Sequence, residues 1–594
     1  MPTFTKILVA NRGEIAVRVM RTLRELDIAA VAVYSEVDRS GLHTAVADEA
    51  YLLGPGPASE SYLRGDRIIE VAHRAGAEAI HPGYGFLAEN ADFARDVEAA
   101  GLVWIGPPAD AIEAMGSKIA SRERMSSAGV PVVPGTVAPA TSVADVLAAA
   151  DEIGFPIAVK ASAGGGGKGL RVARSPDEVE RAFETAQREG QAYFADSTVY
   201  VERYLDDPRH VEVQVLADSH GNVIHLGERD CTIQRRHQKL VEETPSPSVD
   251  AELRARIGAL AVDAARAVDY RSAGTIEGLL TAEGEYFFLE MNTRIQVEHT
   301  VTEAVTGIDI VREQILVASG LPLSIAQDDV VLRGHGIECR INAEDATRGF
   351  LPAPGRITAY REPAGIGVRV DSGVQSGDEI SDLYDPLIAK LVVHDVDREH
   401  ARRRMLRALD EFVIDGPANL LAFHRALLET PCFVSGGTCN GIVESEELAH
   451  RTLEIEEQLS HKRTTVAPEA DGRGPARAVR EQLVTVEIDG RRHDVRIHTP
   501  EPPWAELARR HKHRSKGISG DATGAVASPM QGTVLSVAVG SGSAIRAGEL
   551  ICVVEAMKME NELVAHRDGV VAELHVAPGQ QVALGDIVCV IEAP

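Results

Sequence analysis

The chain has 594 residues, which is long enough for about four domains of ordinary size. It is 44% apolar and 25% charged, as is common for a soluble globular protein. Its net charge of −28 excludes nucleic acid and anionic membrane as partners of the whole surface. No apolar run reaches the roughly 18 residues of a membrane span, so none is predicted.

The N-terminus and the cysteines predict the compartment. The first residues lead directly into a strand and a helix, without the apolar core of a signal peptide, so we expect a cytoplasmic protein. Cys231 lies in a polar stretch near a candidate site, but a structural thiol is the simpler interpretation. The six cysteines have no CxxC spacing and predict buried thiols rather than metal ligands or disulfides: Cys231, Cys339, Cys432, Cys439, Cys552 and Cys589.

The N-terminal region reads as a βαβ unit. Lys6–Ala10 and Ala29–Tyr34 are short apolar strands, and apolar residues between them recur at helical spacing after a turn at residues 11–14. This order predicts a parallel sheet, and we assign residues 1–115 to an α/β domain. The Gly- and Pro-rich loop His81–Leu87 follows a further strand. It is either a ligand-binding loop at a strand end or a stiff connection.

A glycine-rich loop follows the predicted buried strand Pro156–Ser162. Four consecutive glycines at 164–167 allow the backbone to approach an anion such as a polyphosphate closely. A flexible linker is the alternative, but the loop returns at once to a strand, Leu170–Ala173. Its spacing is not that of the Walker A motif. The loop resembles the glycine-rich lid of the ATP-grasp superfamily, which we place at about 133–205 within an ATP-grasp domain of residues 116–330.

Polar residues alternate along a predicted strand from Glu290 to Glu298, which places five of them on one face. The apolar run 286–289 before them indicates a central strand whose polar face lines a cleft; a solvated edge is the alternative. Carboxylate and amide oxygens suit Mg²⁺. We predict Glu277 and Glu290 as metal ligands, assisted by Asn292, with Mg²⁺ or Mn²⁺ as the ion.

The chain changes character after a mixed C-terminal domain at residues 331–446. Residues 447–525 read as a linker with a short β-hairpin at Val484–Ile497, whose turn is Asp-Gly. As coil, this segment would reach on the order of 50 Å. A basic run at 509–514 could dock an acidic partner, but it also fits a solvated tether.

The last 69 residues, 526–594, contain a duplicated pattern of 25 residues, Gly532–Ala556 and Gly569–Ala593. Its short apolar strands and glycine turns predict a small β-sandwich or flattened barrel with two similar halves. Lys558 lies between the halves, at the expected tip of a hairpin and between two methionines. A solvated turn lysine is the simple interpretation. However, the chain has only ten lysines against 51 arginines, so lysine is not its routine surface cation.

Six motifs, in their family order, resemble those of biotin carboxylase over nearly all of residues 1–446. Glu555–Met559 resembles the biotin attachment site of biotin-dependent carboxylases and lacks the Asp-Lys-Ala of lipoyl domains. The whole chain therefore resembles the α subunit of an acyl-CoA carboxylase of the acetyl- or propionyl-CoA type. The implied fold is multidomain α/β and α+β, with an ATP-grasp core and an all-β biotinyl domain. The motifs are residues 11–14, 81–86, 160–169, 228–231, 234–239 and 290–299.

The resemblance implies a role for each site residue. Bicarbonate is held by Lys239, Arg294 and the Val297 backbone, Glu298 is the general base, and Arg340 stabilises the oxyanion of biotin. Lys558 carries covalent biotin. The ATP site is implied to comprise Lys118, Lys160, Gly166, Gly167, Glu202, Leu205, His210, Gln234 and His237.

The resemblance also implies the reaction and the partners. ATP phosphorylates bicarbonate to carboxyphosphate, which carboxylates the biotin on Lys558. The chain ends 36 residues beyond Lys558, so we expect the carboxyl group to pass to a separate carboxyltransferase β subunit, which transfers it to a short-chain acyl-CoA. A biotin protein ligase and a homo-oligomer through the carboxylase region are further expected partners. A 2-oxoacid or a longer or branched acyl-CoA as acceptor, and a non-catalytic carrier scaffold, are the alternatives.

Three positions depart from the family pattern. Ala163 replaces a glycine that is common in the lid, Gly278 replaces a common aromatic residue, and Thr300 replaces the usual proline. No departure removes a catalytic group, although Gly278 leaves open what packs behind the metal site.

Overall fold

The computed structural model describes residues 4–136, 139–161, 170–194, 198–236, 238–466, 479–488, 491–500, 524–556 and 559–592. The chain divides into two compact units, residues 1–455 and 456–594. Within the described ranges, no helix has both the length and the hydrophobicity required to cross a bilayer.

Five parallel strands form the first sheet, in the order β3-β2-β1-β4-β5. Alternate residues of β1 enter two different cores: Ile7 and Val9 pack with the first helix, whereas Leu8 packs with Ile68 of the third. A sheet covered on both faces explains why its strands are continuously apolar. The predicted parallel βαβ unit is confirmed. The elements are β1 (Lys6–Val9), α1 (Gly13–Glu25), β2 (Ala29–Ser35), α2 (Leu42–Val46), β3 (Glu49–Gly54), α3 (Gly65–Ala75), β4 (Ala79–His81), α4 (Ala91–Ala99), β5 (Val103–Trp104) and α5 (Ala109–Gly116).

A small subdomain follows, with a three-stranded antiparallel sheet in the order β7-β6-β8. Its hydrophobic core is separate from the others and includes Val146, Val159, Phe183 and Val201. A separate core lets this part behave as a distinct structural element. Helix α6 (Lys118–Ser127) precedes this subdomain and packs against α5. The elements of the subdomain are α7 (Val143–Ile153), β6 (Ile157–Ala161), β7 (Leu170–Ala173), α8 (Val179–Phe194) and β8 (Val199–Arg203).

The largest sheet has eight antiparallel strands, in the order β13-β12-β9-β10-β11-β14-β21-β19. Strands from both sides of residue 330 therefore share one sheet. Its strands are β9 (Arg209–Ala217), β10 (Val223–Arg235), β11 (Gln238–Thr244), β12 (Ser272–Leu280), β13 (Tyr286–Asn292), β14 (His335–Asn342), β19 (Val368–Ser372) and β21 (Leu387–Asp395). Four short strands lie between β14 and β19 in the sequence and belong to other sheets.

Helices and short strands surround this sheet. Ala401, Met405 and Leu409, which recur at helical spacing, are buried on one face of α12. The short strands are β15 (Glu344–Asp345), β16 (Leu351–Pro352), β17 (Gly355–Arg356), β18 (Ala359–Arg361), β20 (Glu379–Ile380) and β22 (Val413–Asp415). The helices are α9 (Ala251–Arg266), α10 (His299–Thr306), α11 (Ile310–Ala318), α12 (Arg398–Glu411), α13 (Leu421–Glu429), α14 (Pro431–Val434) and α15 (Glu446–Val466).

The linker region contains more structure than the sequence predicted. Helix α15 occupies residues 446–466, where no helix was expected. The two strands of the expected hairpin pair with each other, and β23 (Val479–Ile488) and β24 (Arg491–Pro500) are longer than predicted. The predicted Asp-Gly turn, residues 489–490, lies outside the described residues.

The C-terminal β domain consists of two four-stranded sheets, β25-β32-β30-β27 and β29-β28-β26-β31. The short strand β27 of the first repeat joins the sheet of the second repeat, and β31 of the second joins that of the first. The predicted pair of similar halves is thus confirmed. The strands are β25 (Ala525–Ala527), β26 (Gly532–Val537), β27 (Ala544–Ile545), β28 (Leu550–Ala556), β29 (Met559–Val564), β30 (Gly569–Leu574), β31 (Gln581–Val582) and β32 (Ile587–Glu592).

One prediction about the cysteines is wrong. Cys432 and Cys439 form a disulfide, with Cα atoms 5.6 Å apart. The reason is local: after helix α14, Gly436 and Cys439 both adopt positive φ angles and return the chain toward Cys432. The other four cysteines are buried thiols, as expected.

Candidate active site

A row of charged side chains crosses four neighbouring strands of the large sheet. Glu290 on β13 lies opposite Glu277 on β12, which lies opposite Glu212 on β9, and Glu212 lies opposite Arg229 on β10. Directly opposite residues point to the same face of an antiparallel sheet. Three carboxylates in one row require cations nearby, and those cations define the site.

Lys239 on β11 is the central cation. Its ammonium donates to Glu277 Oε1 at 2.9 Å and to Glu298 Oε1 at 2.6 Å, and it also contacts Glu212. The predicted base, a predicted metal ligand and the predicted bicarbonate-binding lysine are therefore brought together. The lysine is almost fully buried, so these interactions are only weakly screened by solvent.

Arg340 on β14 is the second cation of the site. Its Nε donates to Glu242 Oε1 at 2.6 Å and its Nη2 to Glu298 Oε2 at 2.9 Å. Lys239 and Arg340 thus hold the two oxygens of Glu298, one each. The predicted catalytic residues Lys239, Glu298 and Arg340 form one contact group, because β11 and β14 are neighbours in the sheet.

Arg294 reaches the site from another direction. Its Nη2 donates to Asn292 Oδ1 at 2.9 Å and its Nε to Glu89 Oε2 at 2.9 Å. Asn292 in turn donates to Glu277 Oε1 at 2.7 Å. Arg294 is therefore linked to the predicted metal carboxylate through one side chain.

The strand predicted from Glu290 to Glu298 is only partly present. Strand β13 ends at Asn292, and residues 293–298 form the turn that leads into helix α10. The physical reason is that Glu89 accepts hydrogen bonds from the Thr293 backbone and from Arg294, so the chain bends there. The expectation of a central strand is also wrong. Strand β13 is at the edge of the sheet. The segment at Pro131 covers part of this edge, because the Phe288 N–H donates to the Pro131 carbonyl at 2.7 Å.

The charges of the site hold its two key carboxyl groups ionised. Burial alone would raise the pKa of Glu298, but Lys239, Arg340 and Arg229 hold it well below its usual value. Burial would also raise the pKa of Glu277, but Lys239 and His210 lower it below its usual value. His210 Nε2 lies 2.8 Å from Glu277 Oε2, and although burial opposes it, Glu277 raises the pKa of this histidine.

A second pair of carboxyl groups lies behind Arg340. Glu242 and Glu338 are fully buried and directly opposite each other on β11 and β14. Burial raises the pKa of Glu242 to about 8 and that of Glu338 to about 7. Thr300, which replaces the usual proline, donates from its hydroxyl to Glu338. At neutral pH this pair keeps a proton, because two adjacent buried carboxylates repel each other.

Arg229 is a fully buried arginine that the sequence analysis did not select. Its Nε donates to Glu212 Oε1 at 2.6 Å and its Nη2 to Gln296 Oε1 at 2.6 Å. Gln296 then donates to Glu277 Oε1 at 2.5 Å. Cys231 is nearby, but burial raises the pKa of its thiol well above the usual value, so it is not an activated nucleophile.

The predicted nucleotide residues form a second group, on the small subdomain. Lys160 on β6 and Arg122 on α6 both contact Glu202 on β8. Leu205 lies just beyond, in a small apolar cluster with Val133 and Phe287. The ammonium of Lys160 is part-exposed, so it remains accessible to a phosphate group.

Other predicted nucleotide residues are connected less directly. Gln234 lies opposite Lys239 in the register of β10 and β11, and His210 contacts Glu277. Lys118 is the first residue of α6, and its side chain is not among those that the structure describes. Gly166, Gly167, His237 and Lys558 lie outside the described residues, as does most of the glycine-rich loop. The strands on either side of Lys558 are described, and they pair through Ala556 and Met559.

Several residues of the site were missed by the sequence analysis. One of them, Lys390, had a usable signal because it is one of only ten lysines in the chain. It is fully buried, and its ammonium lies 2.9 Å from the Val297 carbonyl oxygen. The others are glutamates and an arginine in ordinary strand patterns, so only their long-range partners reveal them: Glu89, Glu212, Arg229, Glu242 and Glu338.

Gly278 stands where the family pattern has an aromatic residue, and the structure shows what packs beside it. A Cβ atom at this position would lie 2.3 Å from the ring of Tyr286. The aromatic ring of Tyr286, on the neighbouring strand, thus fills the space that a side chain at position 278 would occupy. An aromatic ring therefore packs at this position, supplied by Tyr286 and not by residue 278.

The donor set fits a hard divalent cation. Glu277 and Glu290 are directly opposite on paired strands, and the amide of Asn292 contacts Glu277. Carboxylate and amide oxygens are the ligands that Mg²⁺ prefers, completed by phosphate oxygens of a nucleotide. The residues present therefore fit magnesium.

Four segments of the chain match protein families. Residues 3–112 match the biotin carboxylase N-terminal domain, and residues 338–445 match the biotin carboxylase C-terminal domain. Residues 117–326 match the ATP binding domain of the carbamoyl-phosphate synthase L chain. Residues 524–591 match the biotin-requiring enzyme family.

Individual relatives agree. The chain is 45% identical over 581 residues to the biotin-dependent acyl-coenzyme A carboxylase alpha3 subunit of Mycobacterium leprae, covering 95% of each chain. It is 55% identical over 433 residues to a pyruvate carboxylase subunit of Methanothermobacter thermautotrophicus, covering 73% of this chain and 88% of that one.

A solved structure shows the same fold. It is the biotin carboxylase domain dimer of the 2-oxoglutarate carboxylase of Hydrogenobacter thermophilus, in complex with MgADP, ADP and bicarbonate. Sequence identity is 46%, coverage is 75% of this chain and 98% of that one, and the TM-score is 0.69.

These matches establish the fold, the enzyme class and the cofactors. The first unit has the ATP-grasp fold of biotin carboxylase, and the all-β domain is a biotin-lipoyl domain. ATP, magnesium and covalent biotin are the cofactors of such a chain. The chain belongs to the biotin carboxylase family, as a biotin-dependent carboxylase α subunit that carboxylates biotin at the expense of ATP.

Proposed function

We propose that this chain is the α subunit of an acyl-CoA carboxylase. It carboxylates the biotin on its own Lys558 and delivers the carboxyl group to a separate carboxyltransferase β subunit, which accepts acetyl-CoA, propionyl-CoA or both. The observation that carries the proposal is the match to the acyl-coenzyme A carboxylase α subunit of M. leprae, which extends over 95% of both chains, including the carrier domain.

Bicarbonate binding and activation are assigned to residues that already contact one another. Lys239 and Arg294 offer two cationic groups, and the backbone of Val297 lies next to Glu298. In this arrangement Glu298 is ionised and able to accept a proton. When an anion binds among these cations, it offsets part of their positive charge. The proton affinity of Glu298 then rises, and Glu298 becomes a better base.

Arg340 is assigned to the oxyanion of biotin. Its orientation is fixed by Glu242 and Glu298, so its remaining N–H groups point in a determined direction. A preorganised donor costs no reorganisation when charge develops on the substrate.

The nucleotide is assigned to the row of carboxylates and to the small subdomain. Glu277, Glu290 and Asn292 would hold magnesium. The phosphates and the purine would contact the remaining predicted nucleotide residues, which are Lys118, Lys160, Gly166, Gly167, Glu202, Leu205, His210, Gln234 and His237. Bound magnesium neutralises phosphate oxygens during transfer, and bound biotin supplies the nitrogen that takes the carboxyl group.

A different acceptor is the second candidate. The identity to the pyruvate carboxylase subunit of M. thermautotrophicus is higher, 55%, but it stops at the carboxylase region. A 2-oxoacid, or a longer or branched acyl-CoA, therefore stays open as the acceptor. A non-catalytic scaffold is disfavoured, because the contacts among Lys239, Glu298 and Arg340 are complete.

Co-purification tests the acceptor. Avidin capture of the natively expressed chain should retain a carboxyltransferase partner together with a second copy of this chain, and should require an active biotin protein ligase. The captured complex should then fix radioactive bicarbonate onto acetyl-CoA or propionyl-CoA. Fixation onto pyruvate or 2-oxoglutarate, with none onto the acyl-CoA panel, would contradict the proposal.

A substitution tests the metal assignment. Glu290→Gln should abolish bicarbonate-dependent ADP release while leaving biotinylation of Lys558 intact, because the metal site and the carrier domain are separate. Glu285→Gln, which alters an exposed glutamate paired with Arg203, is the matched control. Normal ADP release by Glu290→Gln would remove this residue from the metal site.

A further inference from the structure

Lys390 is a charged side chain with no exposure to solvent. Its ammonium donates to the Val297 carbonyl at 2.9 Å, lies 3.1 Å from Glu14 Oε2 and lies 3.9 Å from Asp371 Oδ2. Burying an ammonium group costs several kcal/mol unless its donors are satisfied. The Val297 carbonyl accepts a hydrogen bond from the ammonium, and the two carboxylates supply nearby negative charge that offsets its burial, so this site suits a compact cation.

Val297 and the two carboxylates come from three different parts of the first unit. Glu14 is in the first turn of helix α1, Val297 lies in the turn before helix α10, and Asp371 is on strand β19. The other oxygen of Glu14 accepts from the hydroxyl of Tyr84 in the loop at 81–87. Lys390 therefore joins the N-terminal domain to the turn that carries Glu298.

The hydrogen bond to Val297 has a specific geometric consequence. The carbonyl of Val297 and the N–H of Glu298 belong to one rigid peptide plane. A donor on that carbonyl fixes the plane and with it the backbone from which the Glu298 side chain starts. Lys239 and Arg340 hold the other end of Glu298, at its carboxylate.

We propose that Lys390 is a positioning residue for bicarbonate activation, because it fixes the Val297–Glu298 peptide and, through Glu14, the Tyr84 loop. The inference rests on the roles proposed above for Val297 and Glu298. Arginine, the common cation of this chain, is not equivalent here, since a guanidinium spreads its charge over a planar group, whereas the ammonium of Lys390 places its charge on one atom among the carbonyl and the two carboxylates.

Lys390→Met tests the proposal in the full-length chain, with free biotin as acceptor. Methionine preserves the apolar stem and removes the donor. We expect kcat/KM for bicarbonate to fall about ten-fold to a hundred-fold, the range for loss of a hydrogen bond from a charged group. The KM for ATP should change much less, because Lys160 and Glu202 lie on a separate subdomain. Burial raises the pKa of Glu14 to about 7 although Lys390 opposes it, so in this variant Glu14 takes up a proton and does not stay buried as an unpaired charge.

Lys6→Met is the matched control. Lys6 also donates to one carboxylate, Glu49 at 2.7 Å, and to one backbone carbonyl, Ala75 at 2.8 Å, but it lies outside the site. Its substitution should leave kcat/KM for bicarbonate within about two-fold of the wild type. An equal loss in Lys6→Met and Lys390→Met would reduce Lys390 to a stabilising role and overturn the proposal.

Two further variants keep the test decisive. If Lys390→Met does not fold, Glu14→Gln removes one partner while retaining the bond to Val297. It should lower kcat/KM for bicarbonate by a smaller factor, and an unchanged value would count against the proposal. Glu298→Gln separates the two levels of inference. If Glu298→Gln leaves the bicarbonate dependence unchanged, the role proposed for Glu298 is wrong, and the inference on Lys390 loses its basis. If Glu298→Gln lowers kcat/KM for bicarbonate and Lys390→Met does not, only the inference on Lys390 is wrong.

Discussion

The cleft of the first unit and the C-terminal β domain are stabilised in different ways. In the cleft, the buried side chains are charged and each has a partner from another strand or turn, as with Glu212, Arg229 and Lys390. In the β domain, Ser528 is the one buried polar side chain among those described, and the rest of the core is apolar. A change in the first region should act through charge, and a change in the second through volume.

The difference also separates function from support. For its proposed role the β domain needs only a stable scaffold around one attachment lysine, and a duplicated apolar core is sufficient for that. The cleft must align anions and cations, so it accepts the desolvation cost of buried charges in exchange for fixed orientation. Four predictions test this contrast, in order of decreasing effect.

Lys558→Ala should have the largest effect, because it removes the only proposed attachment point. Biotinylation, measured by avidin blot, should be lost completely. Carboxylation of free biotin should stay within about two-fold of the wild type, since the cleft is built entirely from the first unit. Lys516→Ala, at another lysine of the second unit, is the control. Loss of free-biotin activity in Lys558→Ala would show that the two regions are not separable.

Lys239→Met should have the next largest effect. It leaves three carboxylates without their shared cation, so bicarbonate-dependent ADP release should fall on the order of 10²- to 10⁴-fold. Biotinylation of the same protein should be normal, and Lys6→Met should retain activity. A decrease below ten-fold would mean that the carboxylates do not depend on this cation.

Ile551→Ala tests the apolar region. Ile551 is fully buried on strand β28, so the cavity should cost about 2–5 kcal/mol in the stability of the β domain. Hydrogen exchange of peptides from 550–556 in the full-length chain measures this directly, while free-biotin carboxylation should not change. Leu584→Ala is the control, because Leu584 is 71% exposed and its loss should cost less than about 0.5 kcal/mol.

The same contrast explains what could be predicted from the sequence. The β domain was predictable because its information is local: apolar alternation, glycine turns and a repeat displaced by 37 residues. The N-terminal βαβ unit was predictable for the same reason. The partner of each cleft residue was not, because the contacts join distant positions. Arg340 and Glu242 are 98 residues apart, and Lys390 and Val297 are 93 apart.

The strand from Glu290 to Glu298 shows where pattern reasoning reaches its limit. The alternation predicted five polar residues on one face of a continuous strand, but the chain bends after Asn292 because Glu89, some 200 residues earlier, accepts a hydrogen bond from the backbone of Thr293. Family resemblance supplied what the pattern could not, namely a role for Arg340. It did not supply Glu212 or Lys390, which only the folded sheet brings to the site.

The smallest predicted effect is a difference in pH dependence between the two regions. Native carboxyl groups with raised pKa values hold protons that the unfolded chain releases near pH 4.5, so the free energy of unfolding falls as pH rises toward their native pKa values. In the first unit, burial raises these pKa values to about 8 for Glu242 and to about 7 for Glu14, Glu338 and Glu344. Buried histidines with lowered pKa values act in the opposite direction, but their effect fades above about pH 6.5, because the unfolded chain then binds fewer and fewer of their protons: His43, His81, His225, His299 and His424.

Between pH 6.5 and 8 the carboxyl groups therefore dominate, and the first unit should lose on the order of 1–2 kcal/mol of stability. The β domain should not change over this window, because its shifted groups are thiols: burial raises the pKa of Cys552 to about 11 and raises that of Cys589, so both remain protonated in the folded and unfolded chain until the pH is higher still. Hydrogen exchange of the full-length protein at the two pH values, corrected for the intrinsic exchange rate, measures both regions in one sample. Glu242→Gln should reduce the slope of the first unit only. Parallel slopes in the two regions would mean that the buried carboxyl groups of the cleft do not hold protons at neutral pH.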